Sequence, residues 1–478
     1  MNKVPAISAS AKLWLIIGLA LLLRLYHVTN PPADWHAFRQ ADTASVTREY
    51  VKHGINLLKP TYQDLSNIQS GKDNLDGYRM VEFPVINGLV ALIIRVVPVL
   101  GVDLTSRLLA ILASLGTLVF LYQFVKKISG QSTAELAALS FAVVPFAVYY
   151  SRVIMPEPFM LFFFMTSLWT FSQWLETKRW TLYIVSVISL MAALLLKPFV
   201  GFILPVYLVV AYVIQGKKGL LNPLVYLALG GSLVPLWWWR QWIEQYPSGI
   251  PANDWLFNSN QIRLRPAWFR WLFWERLTKL VLGYSGMLLL AANVLRWRTK
   301  EVLVYGTWWA GILIYFVVIA TGNVQHDYYQ VLMIPIVCIS VARGLVCAQQ
   351  YFQKFVAAKV VSSVLIAICV FGLFFATQHV QGYFNVNHWE YVEAGQAVNE
   401  LTPATAKVIA PAFGDTHFLY QTNRTGWPIG FEIEDKINKG ATHYITTSDD
   451  DEARALAAKY YTIKKTPKYL LLDLTKPL

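Results

Sequence analysis

Long apolar runs recur along this chain, and they constrain its fold more than any other feature of the sequence. The run at 360–376, for example, contains no charged residue, and a helix needs roughly 20 mostly apolar residues to cross a bilayer. Charged residues make up only 14% of the chain, against about 25% in soluble domains. The sequence therefore predicts an α-helical polytopic membrane protein with about 11 transmembrane helices.

The charges between these runs predict how the chain is oriented. Short basic loops of membrane proteins face the cytoplasm, and alternate loops here are basic: 126–127, 177–179, 217–218, 296–300 and 354–359. The other loops, including a long first loop at 29–103, are then expected to face outward. The N-terminus is predicted to be cytoplasmic and the tail, 378–478, extracytoplasmic.

Two segments of the first outer loop are predicted to form helices at the membrane surface. Residues 42–54 end at Gly54, a common helix stop. Residues 86–100 are apolar but short, and they contain Arg95 and Pro98, so we interpret them as an interfacial helix. If 86–100 spanned the membrane instead, every later loop would change sides.

The tail is predicted to be a small α/β domain, separate from a membrane domain at 1–377. Residues 406–411 and 442–448 have the β-branched and aromatic composition of strands. Residues 431–440 and 450–461 are predicted to be helical.

The net charge of +13 does not indicate a nucleic-acid partner. The basic residues fall in short clusters between apolar runs, where membrane topology places them. The predicted partner is instead the lipid bilayer. The three cysteines show no spacing typical of a disulfide framework or a metal site.

Three polar residues of the first loop are candidates for chemistry, because polar groups near the apolar layer are costly and often functional. A partly desolvated Asp42 carboxylate suits a base that takes a proton from a hydroxyl group. As the N-cap of helix 42–54, it would be structural instead. Asp34 is the competing carboxylate. Arg39 either binds a phosphate or forms an ion pair with one of the aspartates.

Two acids and a lysine in later segments are further candidates. Glu82 lies where the chain re-enters the apolar layer, and Glu157 lies at a helix start, where the helix dipole alone accounts for an acid. Each is also a candidate for binding the acceptor or a metal ion. Lys197 ends a helix on the outer side, against the positive-inside trend. It either snorkels to the interface or, in the interpretation we prefer, faces an anion.

His326, Tyr328 and Tyr329 form a polar aromatic group before the apolar run at 330–347. Such side chains bind phosphate oxygens or sugar hydroxyls, although tyrosine is also common at membrane interfaces. Together with the acids and Lys197, they are predicted to meet in one pocket on the outer side of the membrane.

Five stretches resemble the GT-C superfamily of integral-membrane glycosyltransferases. They are FRQADTASVTREYV (38–51), VEFPVINGLVALI (81–93), AVYYSRVIMPEPFMLFFF (147–164), LLLKPFVGFILPV (194–206) and HDYYQVLMIPIV (326–337). The chain is similar to the bacterial branch related to dolichyl-phosphate-mannose–protein mannosyltransferases and lipid A aminoarabinose transferases. The resemblance implies a GT-C fold in the bacterial inner membrane, with two interfacial helices in the first loop and a periplasmic tail.

The resemblance also implies an essential acid in the first loop, which Asp42 matches. The usual Asp-Glu pair is replaced here by RQADT (39–43), which leaves Asp34 open. Glu82 matches an acid before the second interfacial helix, but Phe83 follows where the aminoarabinose transferases have lysine. Arg79 is therefore the candidate substitute for contact with a phosphate.

For the later segments, Glu157 stands where the family usually has aspartate, and Lys197 matches a lysine near the donor phosphate. The family then implies a polyprenyl-phosphate sugar as donor, with a hexose or a pentose as the sugar. An inverting displacement would pass the sugar to a hydroxyl of a glycan, lipid or protein acceptor. In that reaction Asp42 is the base and Lys197, with His326, stabilises the departing phosphate. No cofactor is required, and a divalent metal between Glu82 and Glu157 stays open.

Two other functions remain open. A lipid or sugar flippase also needs buried charges, but inverted repeats and broken midplane helices are expected of it. A lipid-linked sugar ligase or polymerase would favour an arginine-rich outer loop, and Arg263, Arg265 and Arg270 lie in such a loop.

Overall fold

The structure, a computed structural model, describes residues 8–296 and 298–478. Residues 1–7 and Trp297, which belongs to the predicted basic loop 296–300, lie outside the described residues. In chain order, the α-helices of the described part are α1 (Ala9–Arg24), α2 (Ala37–His53), α3 (Val85–Val96), α4 (Gly101–Ser129), α5 (Gln131–Val143), α6 (Pro145–Tyr150), α7 (Glu157–Thr177), α8 (Trp180–Leu196), α9 (Pro205–Gln215), α10 (Lys217–Leu220), α11 (Pro223–Ile243), α12 (Trp255–Asn258), α13 (Pro266–Phe269), α14 (Gly286–Ala291), α15 (Thr299–Val318), α16 (Ala320–Gln325), α17 (Ile334–Phe352), α18 (Ala358–Val380), α19 (Trp389–Leu401), α20 (His417–Gln421), α21 (Ile433–Asn438) and α22 (Asp451–Ala457). A π-helix (Arg270–Val281) and short 3-10 segments, among them Pro198–Ile203 and Asp327–Met333, connect some of them.

Some of these helices are long and apolar enough to cross a membrane. Within the described residues, length and composition select five segments: Pro98–Ser129, Pro198–Gln215, Thr299–Val318, Asp327–Phe352 and Ala358–Leu401. A sixth arises if Pro266–Val281 and Gly286–Leu295, bent by 108°, form one span. Other apolar runs are broken, as between α5 and α6, where Pro145 cannot donate a backbone hydrogen bond. The helical membrane fold is confirmed, and the number of about 11 spans stays a prediction.

The first outer loop contains the two helices that the sequence predicts. α3 has 12 residues and is about 18 Å long, too short to cross an apolar layer of about 30 Å. α2 ends at Gly54, which has φ +100°, as predicted. It begins at Ala37 rather than at residue 42, after His36 with φ +56°. No side chain caps this start, so the sequence carried no cap signal for it.

The first of two compact units contains the residues up to Tyr26, Ala110–Trp239 and Asn253–Gly382. An arginine inside the first apolar run is expected from the sequence to snorkel outward. The structure shows that this expectation is wrong, because Arg24 is fully buried in this unit. Its Nε donates to Ser114 Oγ at 2.9 Å, and its guanidinium also donates to the carbonyl oxygens of Phe141 and Ala142. The side chain therefore joins α1, α4 and α5 inside the bundle, where these acceptors offset the cost of its burial.

The second unit contains His27–Leu109, Arg240–Ala252 and Tyr383–Leu478. Its five-stranded sheet has the order β2-β1-β3-β5-β4. The strands are β1 (Lys407–Ile409), β2 (Thr425–Trp427), β3 (His443–Thr446), β4 (Tyr460–Lys465) and β5 (Leu470–Pro477). β1 is parallel to β2 and β3, and β5 is antiparallel to β3 and β4. The predicted α/β tail is present, and β1, β3, α21 and α22 fall within the four segments predicted for it.

A piece of the first loop extends this sheet beyond β2. The amide of Leu65 donates to the carbonyl of Gly426 at 2.8 Å, and the amide of Gly426 donates to the carbonyl of Gln63 at 2.9 Å. Leu65 also packs in the apolar core of the tail, beside Trp427. The division into 1–377 and 378–478 thus differs from the two units found here, because the first loop and the tail share one sheet and one core.

Gly426 is the tightest point of this junction. A Cβ atom at this position would lie 1.8 Å from the carbonyl oxygen of Val408 on the neighbouring strand, and real Cβ contacts do not come so close. We expect Gly426→Ala to lower the free energy of unfolding by about 3 kcal/mol, the upper range for overpacking. Thermal unfolding of the detergent-purified protein measures this. Gly382→Ala is the control, because nothing lies within 4 Å of the added methyl group. Equal melting temperatures for the two variants would contradict the prediction.

Candidate functional site

Asp42 lies inside α2, and its side chain is 1% exposed. Arg79 Nη2 lies 3.0 Å from Oδ2, and Gln69 Nε2 donates to the same oxygen at 3.1 Å. Thr416 Oγ1 donates to Oδ1 at 2.6 Å. Because α2 begins five residues earlier, the N-cap interpretation of Asp42 is wrong. The carboxylate is instead held by three polar side chains, two from the first loop and one from the tail.

Asp34 is held by a buried cation. Arg107 Nη2 lies 3.3 Å from its Oδ1, and both side chains are fully buried. Gln40 Nε2 donates to the same oxygen at 2.6 Å. A buried carboxylate with these partners is expected to brace the fold, because removal of one member leaves an uncompensated charge.

Arg39 forms an ion pair with Glu82. The acid in this pair is Glu82, and not one of the two aspartates, Asp34 and Asp42, that the sequence suggested. Arg79 also donates to Gln69 Oε1, and its guanidinium lies 5.1 Å from the centre of the Tyr62 ring. Arg79 and Gln69 thus contact each other and the Asp42 carboxylate.

Lys197 and Glu157 form the ion pair at the centre of a second cluster, in the first compact unit. Their charged atoms are 2.9 Å apart, and the side chains are 10% and 4% exposed. Glu157 is the first residue of α7, and Lys197 caps the end of α8. Both termini were predicted, and the anion that faces Lys197 is a carboxylate of the chain itself. The second oxygen of Glu157 is buried without a hydrogen-bond partner.

Aromatic side chains surround this ion pair. Lys197 Nζ lies 5.7 Å from the ring centre of Tyr328 and 5.9 Å from that of Tyr329. The His326 ring stacks on Tyr328 with centroids 5.3 Å apart. The predicted association of Lys197 with His326, Tyr328, Tyr329 and Glu157 is therefore present within one unit.

A neighbouring carboxylate, Asp327, was not singled out from the sequence. It is 1% exposed, accepts a hydrogen bond from Tyr150 Oη at 2.5 Å, and lies 3.8 Å from Arg276 Nη1. A signal was available, since an acid between histidine and tyrosine at membrane depth is costly. Arg107, Gln69 and Thr416 were also missed, because their roles depend on distant parts of the chain.

Asp64 is an acid with a perturbed pKa near Asp42. Burial, and to a lesser degree the charge of Asp42, raises the pKa of the Asp64 carboxyl group to about 6. Hydrogen bonds from Ser66 oppose this rise, and the Ser66 amide donates to Asp64 Oδ1 at 2.8 Å. Asp64 therefore releases its proton near pH 6, where ordinary aspartates are already ionised.

The raised pKa predicts a pH dependence of stability. The folded state binds the Asp64 proton up to about pH 6, whereas the unfolded chain releases it near pH 3.9. The unfolding free energy should therefore decrease as the pH rises from about 4 to about 6, by at most about 3 kcal/mol. Melting temperatures measured across this range should lose that slope in Asp64→Asn and keep it in Asp76→Asn, an exposed control in the same loop. A slope that persists in Asp64→Asn would assign it to another group.

Within residues 8–296 and 298–478, no group of three or more His, Cys, Asp or Glu side chains is placed to hold a metal ion. The three arginines that favoured a ligase all contact other groups of the chain, and Arg270 lies 3.6 Å from Glu275. Arg263 donates to the carbonyls of Phe257 and Val318, and Arg265 donates to Gln261.

Comparison with known proteins identifies the fold around these clusters. Residues 84–239 match the family model described as dolichyl-phosphate-mannose-protein mannosyltransferase. ArnT from Cupriavidus metallidurans, solved with undecaprenyl phosphate, aligns with a TM-score of 0.65 at 13% identity, over 97% of this chain and 98% of ArnT. The chain has the GT-C fold. The fold that the sequence resemblance implied is thereby confirmed.

Archaeal oligosaccharyltransferases share the GT-C fold with lower similarity. AglB from Archaeoglobus fulgidus, solved with an inhibitory peptide and a dolichol-phosphate, aligns with a TM-score of 0.56 at 11% identity, over 96% of this chain and 74% of AglB. No curated protein sequence matches the chain.

Proposed function

We propose that this protein is a membrane glycosyltransferase that moves a sugar from a polyprenyl-phosphate donor to an acceptor hydroxyl group on the extracytoplasmic face. Two observations on relatives support this, since ArnT was solved with undecaprenyl phosphate and AglB with a dolichol-phosphate. The observation in this chain that carries the proposal is the buried Lys197–Glu157 pair beside three aromatic side chains.

Lys197 is proposed to bind the donor phosphate. Its ammonium group carries the positive charge of the cluster, and the Tyr328 and Tyr329 hydroxyls and the His326 ring supply further hydrogen-bonding groups. In the absence of a donor, the Glu157 carboxylate holds the ammonium group in place. When the sugar–phosphate bond breaks, negative charge develops on the phosphate, and a preorganised cation stabilises it at that moment.

Asp42 is proposed to accept the proton of the acceptor hydroxyl group. The acceptor oxygen forms a bond to the anomeric carbon, the bond from that carbon to the phosphate oxygen breaks, and the proton passes to the carboxylate. A single displacement of this kind inverts the anomeric centre. Asp42 is preferred over Asp34 because it matches the essential first-loop acid that the family resemblance implies. Both carboxylates are buried and paired with an arginine.

A vesicle assay tests the reaction class. Protein reconstituted in vesicles is given a panel of labelled polyprenyl-phosphate hexoses and pentoses together with membrane and cell-wall acceptors. Transfer of label to an acceptor, with release of the polyprenyl phosphate, is expected for one donor. Movement of an intact donor between leaflets without cleavage would identify a flippase, and transfer of whole lipid-linked oligosaccharides alone would identify a ligase.

A further inference from the structure

An apolar cavity in the first compact unit has no part in the proposed reaction. It has a volume of about 560 Å³, and residues of α5, α14, α17 and α18 line it. Its walls are mostly aliphatic, for example Leu136, Leu289 and Leu365. The volume lies within the range of about 300–1,000 Å³ that is typical of ligand pockets.

The outer wall of this groove is formed by α18, most of whose surface faces away from the bundle. The helical stretch that begins at Ala358 is apolar, and only 17% of its most apolar window is buried. Its other faces therefore meet lipid in a membrane. Gly372 of α18 lines the groove. A Cβ atom at this position would lie 2.9 Å from Ser285 Oγ and 3.0 Å from the carbonyl oxygen of Leu282, so α18 approaches the bundle closely there.

One end of the groove has a polar rim formed by Ser132, Gln349, Gln350 and Ser362. Ser362 Oγ donates to Gln349 Oε1 at 3.1 Å, which joins α17 to α18 at this level. The amide oxygen of Gln350 is buried and has no hydrogen-bond partner, so it is available to a hydroxyl or ammonium donor. Lys354, in the loop between the two helices, and Lys359, in the first turn of α18, are both exposed.

The rim lies far from the Lys197 cluster. α17 begins at Ile334, directly after the segment with Tyr328 and Tyr329, and Gln350 lies 16 residues further along it. This separation corresponds to about 24 Å along a helix. The donor phosphate proposed above would thus be at the opposite end of α17, on the side that the basic loops predict to be extracytoplasmic.

We infer that this groove is a binding site for one acyl chain of a membrane phospholipid, whose head group lies at the Ser/Gln rim beside Lys354 and Lys359. The aliphatic walls would contact the acyl chain. The Ser and Gln side chains of the rim would contact the polar glycerol backbone of the lipid. The two lysines attract the phosphate of a lipid head group. The Gln350 carbonyl accepts a hydrogen bond from a glycerol hydroxyl or ethanolamine head group. The site is separate from the proposed transfer reaction.

Photo-crosslinking tests this site in vesicles of phosphatidylethanolamine that contain phosphatidylglycerol with a diazirine on one acyl chain. In the wild-type protein, mass spectrometry should find the crosslinks concentrated on groove-lining residues of α5, α17 and α18. Leu365→Trp fills the groove and should reduce these crosslinks about tenfold. Val364→Trp is the matched control, because the Val364 side chain is next to Leu365 in the sequence, is 53% exposed and does not line the groove.

Three outcomes would overturn the inference. The first is a wild-type crosslink pattern spread evenly over all lipid-exposed helix faces, which needs no variant to interpret. The second is equal crosslinking in Leu365→Trp and Val364→Trp. The third is loss of the crosslinks when unlabelled polyprenyl phosphate is added, since this would assign the groove to the donor tail.

Discussion

Asp42→Asn will reduce sugar transfer by about a thousandfold, within the range of general-base contributions of 10²–10⁴, and donor binding will remain. Asparagine keeps the shape of the side chain and accepts the hydrogen bond from Thr416, which now lies 2.6 Å from the carboxylate. It cannot accept the proton of an acceptor hydroxyl group. Transfer rates and equilibrium binding of the polyprenyl-phosphate sugar, measured on the same preparation, separate the two effects.

The control for this result is Asp34→Asn. Because Arg107 and Asp34 are both fully buried, loss of the carboxylate charge is expected to destabilise the protein by about 3–5 kcal/mol. Asp34→Asn should therefore lower the melting temperature and change turnover per folded molecule little. Asp42→Asn also removes the partner of Arg79, so its transfer rate is compared per folded molecule and should still be low. If Asp42→Asn retains more than about a tenth of wild-type transfer, Asp42 is not the base.

Lys197→Met will weaken donor binding and lower kcat/KM by at least about a hundredfold, as removal of an electrostatic contact to developing charge commonly does. The single variant also leaves Glu157 buried without its cation, which costs about 3–5 kcal/mol of stability. A loss of activity in this variant alone would therefore mix catalysis with folding.

The double variant Lys197→Met/Glu157→Gln separates these contributions. Replacing both charges removes the unpaired carboxylate, and stability should return to near that of the wild type. Transfer should stay as low as in Lys197→Met, and Lys197→Arg should restore part of the donor binding. Recovery of activity together with stability in the double variant would mean that Lys197 serves only the fold.

The sequence was sufficient to predict the class of fold and the local position of most candidate residues. Apolar periodicity and loop charge predicted the helical membrane protein, and a helix stop at Gly54 was visible in the pattern. Glu157 and Lys197 were predicted at helix ends, and their ion pair follows from the adjacency of α7 and α8. Such features depend on neighbours in the chain, which a single sequence displays.

Features that depend on distant segments could not be predicted. The hydrogen bond from Thr416 to Asp42 joins residues 374 positions apart, and Leu65 completes the core of a domain that begins more than 300 residues later. Gly426 pairs the first loop with the sheet, and no local pattern around it indicates this role. The prediction that the first-loop acids and Lys197 share one pocket stays a prediction.

The most direct test of the proposed chemistry is a density map of Asp42→Asn with an uncleaved polyprenyl-phosphate sugar bound. The account predicts that the phosphate lies within hydrogen-bond distance of Lys197 Nζ and of a hydroxyl group of Tyr328 or Tyr329. A phosphate bound elsewhere, with the Lys197–Glu157 pair unchanged, would contradict it.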